Sequence, residues 1–170
     1  MPTSSTTDLW ETLAAEASAE SPLWAEQLRD EPERVGIFGE LAPERFALGL
    51  ETIYEGYLVH YGQPRLFAPD DRDTILLLGD YLYAQGLVRL AAAGSVEAVA
   101  DMGELISLCA QLRAEGSGED GPAWAASVAL LGQAVLKETD DPEALIARAK
   151  EAAGPEAVDH ALVAHRDRVR

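Results

Sequence analysis

The sequence predicts an all-α fold: a single-domain helical bundle over residues 7–168, preceded by a disordered tail at 1–6. Three observations point to it. Apolar residues recur at helical spacing, as Phe46, Leu50, Ile53, Tyr57 and Leu58 do. The breaks between such runs carry helix punctuation, at Ser21–Pro22, Gly62–Pro64, Gly94–Ser95, Asp141–Pro142 and Gly154–Pro155. No stretch alternates apolar and polar residues between hairpin turns, so strands are not expected.

The 170-residue chain is long enough for one domain, which would bury roughly 70% of its unfolded surface. Thirteen Lys and Arg stand against thirty Asp and Glu, a net charge of −17. Such a surface repels nucleic acid and anionic lipid, so neither nucleic-acid binding nor membrane insertion is expected. Cys109, the single cysteine, excludes an internal disulfide and reads as a small buried hydrophobe. The opening MPTSSTTD has neither a basic nor an apolar signal region, and a cytoplasmic location is the expectation.

In order, Thr7 is expected to cap a helix from Asp8 to Ala19, with Trp10, Leu13 and Ala14 as its apolar stripe. Ser21 caps a second, with Pro22 at its first position, that carries Leu23, Trp24 and Leu28 and ends near Asp30. A connector over 31–42 is expected to send Val35, Ile37 and Phe38 into the core. Pro43 opens a helix to His60, which Gly62 and Pro64 close. Asp70 caps the next, Asp71 to Ala93, with Asp71 and Asp73 favoured by the dipole in the first turn. It would be about 35 Å long. It is apolar nearly all round, interrupted by Asp80 and Arg89, and reads as the central buried helix of a soluble bundle. Ser95 caps a helix to Ala114 whose inner face is Val99, Met102, Ile106, Cys109 and Ala110. The tract 115–121 reads as a flexible acidic loop, and Pro122 opens one continuous helix to Lys137. Helices from Pro142 to Ala153 and from Glu156 to Arg168 complete about seven or eight.

The central pair carries a resemblance. ETIYEGYLVHYG followed by TILLLGDYLYAQGLVRLAAAG resembles the trans-isoprenyl diphosphate synthases, the polyprenyl synthetase family. Glu51, Leu58, Val59 and His60 fit the helix that bears the family's first aspartate-rich motif. Leu78, Gly79, Asp80, Leu82 and Ala84 fit the helix after it. The match covers about a quarter of the chain, and the chain is roughly half the family's length. The resemblance implies a shortened isoprenoid synthase bundle, a dimer packed through the central helices, and an isoprenoid tail running between them. Tyr54, Tyr57, Tyr83 and Gly86 would be its walls.

The departures bear on chemistry. Tyr61 and Gly62 stand where the family has its aspartates, and no second aspartate-rich motif follows; KETDDPEA is the nearest string, and Pro142 makes it a turn. Magnesium needs oxygen ligands to offset the charge of a departing diphosphate. The expectation is therefore a non-catalytic isoprenoid-synthase-like protein, without cofactor, that associates with itself or with a full-length prenyl synthase. The alternatives are a prenyl or lipid-like carrier using a central apolar cavity, and a magnesium-dependent enzyme with atypical ligands.

Candidate ligand-binding residues are Tyr57, His60, Arg65, Arg72, Asp80 and Tyr83. Arg65 and Arg72 flank the shortened loop and are the anion-anchor candidates. Asp80, in an apolar run, reads as a buried hydrogen-bonded carboxylate. Glu51 and Glu55, at i, i+4, lack the Glu-x-x-His partner of bundle metal sites and read as helix-surface carboxylates. Asp70, Asp71 and Asp73 read as capping residues, and His60 as a cation at a helix end. His160, His165, Arg166, Arg168 and Arg170 read as a basic C-terminus. No catalytic or metal-ligand set is assigned.

Overall fold

The computed structural model describes residues 5–117 and 119–169, with side chains from Leu9 onward. Among these, the chain forms nine α-helices and two 3-10 turns with no strand; Leu28 and Phe67 make one isolated bridge. The helices are α1 (Ser5–Glu20), α2 (Pro22–Glu26), α3 (Ala47–Tyr61), α4 (Arg72–Ala92), α5 (Val96–Glu115), α6 (Gly121–Ala129), α7 (Val135–Glu138), α8 (Pro142–Ala153) and α9 (Pro155–Arg168). Residues 1–4 of the expected tail lie outside the described residues, and α1 begins within that tail.

Several caps follow the sequence. Ser21, Ser95 and Asp141 accept backbone N–H bonds from Leu23, Ala98 and Ala144. The cap of α4 is Asp71 rather than Asp70, with Thr74 N–H donating to its carboxylate at 2.9 Å. Glu44–Phe46 forms a 3-10 turn before α3, because Pro43 sits at its N-cap with an extended ψ of 141°. α2 stops at Glu26, short of Asp30.

The helix expected from Pro122 to Lys137 is broken. Gly132 (φ 88°) and Ala134 (φ 55°) take left-handed backbone, and the Asp101 carboxylate accepts the N–H of both. A side chain on α5 thus captures two donors that a continuous helix would have used.

α3 is the centre. Every residue from Gly49 to Val59 is buried, under α4, α1, the two 3-10 turns and Trp124 of α6. α3 and α4 approach backbone to backbone. A Cβ at Gly56 would lie 3.0 Å from Gly79 O, and one at Gly49 2.9 Å from Leu90 Cδ2. One at Gly86 would overlap Ile53, and one at Gly79 the His60 ring. Glycines on both helices therefore close the interface that the resemblance assigned to an isoprenoid tail.

α4 is not buried on all sides. It is long and apolar enough to cross a membrane by composition, yet 28% of that window is buried. One flank packs on Leu13, Ala17 and Trp24 through Leu78 and Leu82, with Tyr81 stacked on Trp24. The outer flank is open. Leu76, Asp80, Ala84, Val88 and Ala92, four residues apart, form one exposed ridge, with Leu77 and Ala91 beside it.

Candidate functional site

Three polar groupings and the α4 ridge contain all the sequence candidates. The first sits over α3. Arg65 is fully buried, and its guanidinium donates to Glu51 Oε2 at 2.5 Å, Glu55 Oε2 at 3.0 Å, Val35 O at 2.8 Å and Glu51 O at 3.1 Å. It stacks over Trp10 at 4.5 Å. The free carboxylate oxygens reach out to two loops. Glu51 Oε1 accepts from Ile37 and Gly39 N–H at 2.8 and 2.7 Å, and Glu55 Oε1 from Leu66 N–H at 2.7 Å. Burial alone would depress the Arg65 guanidinium; Glu51 and Glu55 outweigh it and raise it. The two glutamates are not helix-surface carboxylates, and Arg65 is no exposed anchor. Together they clamp the 35–39 and 65–67 segments onto α3.

The second grouping joins α3, α5, α6 and α9. Asp120 accepts from Tyr57 OH at 2.6 Å and from Arg113 Nε at 3.3 Å, and lies 2.9 Å from His165 Nε2. Arg113 Nη2 donates to Tyr57 OH at 2.5 Å, and Tyr54 OH lies 2.9 Å from His165 Nδ1. Phe38 and Trp124 enclose the rings. Burial raises the Asp120 carboxyl, but hydrogen bonds from His165 and Tyr57 and the Arg113 charge bring it below its ordinary value. Burial, then the Asp120 charge, pushes the Tyr57 phenol far up; burial does the same for Tyr54. Both phenols are held neutral and fully buried, and Tyr57 donates to Asp120.

His165 is therefore no part of an exposed basic terminus, and Asp120 is no part of a flexible loop. A signal was present for the histidine. Val158, Ala161 and His165 share the buried face of α9 at i, i+3, i+7. Asp120 had none, because its partners lie on three other helices.

The third grouping is on the outer side. His60 Nε2 lies 3.2 Å from Asp80 Oδ1, with side chains 10% and 76% exposed respectively. Asp80 is thus a surface carboxylate and not a buried one. The rings of Tyr61 and Tyr83 flank His60 at 5.6 and 5.1 Å. Burial lowers His60 below its ordinary 6.5, with Asp80 opposing. Burial pushes Tyr83 far up.

Arg72 opens α4 and is exposed, with no ion-pair partner among the described residues. The six candidates therefore divide. Tyr57 and Arg65 are spent on internal bonds, His60, Asp80 and Tyr83 meet on the α4 ridge, and Arg72 stands at the ridge's N-terminal end. Among the described residues no three His, Cys, Asp or Glu side chains converge as metal ligands would. An open cleft of about 560 Å³ lies between α1 and the 36–51 stretch, lined by Trp10, Glu40, Glu44, Leu48 and Glu51.

No protein-family model, curated protein or solved structure matches this chain.

Proposed function

We propose that this protein is a non-catalytic isoprenoid-synthase-like protein that acts by association, and that its outer α4 ridge pairs with a second copy of itself. The observation that carries the reading is a long apolar helix with one flank left open. Val88 is 60% and Leu77 57% exposed on it, in a protein otherwise covered with charge. Exposed contiguous apolar surface marks an interaction site.

A second copy fits for a specific reason. The ridge runs Arg72, Leu76, Asp80, Ala84, Val88, Ala92, and its two large apolar side chains, Leu76 and Val88, stand equally far from its midpoint. Antiparallel pairing on a two-fold axis sets Leu76 against Val88, Asp80 against Ala84 and Arg72 against Ala92, and opposes the helix dipoles. The ridge needs no complement but itself. A helix face about 30 Å long and about 10 Å wide offers less than a standard interface, so the association is weak and concentration-dependent.

The absent aspartates at Tyr61 and Gly62 support the non-catalytic half of the reading. Sedimentation velocity tests the rest. At pH 5.5 the native protein is expected to shift towards dimer through the high micromolar range, and Val88→Glu to remain monomeric with unchanged helix content. A native monomer throughout that range contradicts the reading. So does recovery on neutral vesicles by flotation, which would give the ridge to lipid. Pyrophosphate release from isopentenyl and allylic diphosphates with magnesium, abolished by Asp80→Asn, would overturn the non-catalytic half.

A further inference from the structure

Asp80 is the one charge between the ends of the ridge. Leu76 precedes it and Ala84 and Val88 follow, all exposed. An exposed aspartate carries its charge at neutral pH. In the antiparallel pair, Asp80 from each copy would lie about 6 Å apart along the axis, and helix axes pack about 8–10 Å apart. Two carboxylates would then be desolvated together near the centre of a small apolar interface. That is unfavourable unless each is neutralised.

The neutralising group is already in place. His60 Nε2 lies 3.2 Å from Asp80 Oδ1, at the end of α3 and at the margin of the ridge. We propose that the His60–Asp80 pair is a proton-controlled latch on self-association: the ridge pairs when His60 is protonated, and the bare Asp80 carboxylate keeps it apart when His60 is neutral. The proposal rests on the self-pairing reading above and gives that site its regulation.

Other groups around His60 do not supply the switch. Tyr61 on α3 and Tyr83 on α4 flank it, and burial raises both phenols. α5 contributes Cys109, whose charge would act on Tyr61 and Tyr83, and Arg113, which lies over the Tyr61 ring. Burial raises the Cys109 thiol well above its ordinary value, and Asp120 and Tyr57 hold Arg113 cationic against burial. Asp120 lies beyond them, shared among Tyr57, Arg113 and His165. Between pH 5 and 8 the proton change at this edge is therefore that of His60.

The sign follows. In the monomer burial lowers His60, so it is neutral at pH 7.5. Burying Asp80 in a dimer strengthens its pull on the imidazole and raises that value. The dimer takes up protons that the monomer does not hold, so acidification through and below 6.5 drives pairing.

Sedimentation equilibrium at pH 7.5 and 5.5 in 0.15 M salt, which screens net charge beyond about 8 Å, tests this with circular dichroism confirming the fold. One proton per copy is two per dimer, which bounds the effect at about a hundredfold per pH unit, and native dimerisation should be at least about tenfold tighter at pH 5.5. His60→Gln should remove most of that step. Asp80→Asn should pair at pH 7.5 as the native protein does at pH 5.5, although it alters the net charge by only one. An equal pH step in His60→Gln, or Asp80→Asn pairing no more tightly than native at pH 7.5, overturns the latch and leaves self-pairing standing. No association by any of the three at either pH overturns both.

Discussion

Arg65 is a side chain whose chemistry suggests ligand binding while its position makes it structural. Its guanidinium faces two carboxylates on successive turns of α3, and all three groups are buried. Removing it strands two charges without removing their desolvation cost, so Arg65→Met should lose about 3–5 kcal/mol in urea unfolding. Arg65→Lys should lose much of the same, since one ammonium cannot reach Glu51, Glu55 and Val35 O together. A loss under about 1 kcal/mol for Arg65→Met would contradict the clamp. Asp120 makes the acid-side counterpart. Its carboxyl lies below its ordinary 3.8 in the fold, so its contribution is present above 3.8 and lost as pH falls through the lower folded value. Carboxyl NMR should show Asp120 still titrating below 3.8, and a midpoint above 3.8 would contradict the network described.

At the scale of elements, periodicity and punctuation made most helices legible. Ser95, Asp141 and Pro155 mark starts that the structure keeps within a residue or two. What stayed hidden required a partner from elsewhere in the chain. The break after α6 depends on Asp101 reaching Gly132 and Ala134 across 31 and 33 residues. Glu51 and Glu55 look like surface carboxylates until Arg65 is placed over them. Asp80 looks buried because its sequence neighbours are apolar, yet Leu76, Leu77 and Ala84 around it are themselves exposed. The central pair was legible as two long apolar helices, but the role of its glycines shows only in the backbone approach. Gly86→Ala should cost about 1–3 kcal/mol or more, because its Cβ meets Ile53 and the Gly49 carbonyl. Gly103→Ala, on α5 where a Cβ meets nothing within 4 Å, should instead stabilise by about 0.5–1 kcal/mol. Thermal unfolding of the two variants checks both signs, and equal effects would contradict the packing assigned to α3 and α4.

For the whole molecule, two facts pull in opposite directions. A net charge of −17 favours separate copies, while a half-covered apolar helix favours covering it. In the proposed pairing, a single apolar ridge with one carboxylate near its middle would let both operate, with association weak and set by conditions. The same surface explains why α4 reads from the sequence as a buried helix: its apolar content anticipates a covering that the single chain does not supply. The most direct measurement is a dipolar distance between nitroxides attached at Ala84→Cys, at pH 5.5 and high micromolar protein. Position 84 lies on the exposed ridge, and the native Cys109 is buried and shielded from label. Antiparallel pairing predicts a label separation within about 20 Å, given axes about 8–10 Å apart. A dimer with labels well beyond that separation would place the interface elsewhere, and no dipolar coupling at all would contradict pairing through α4.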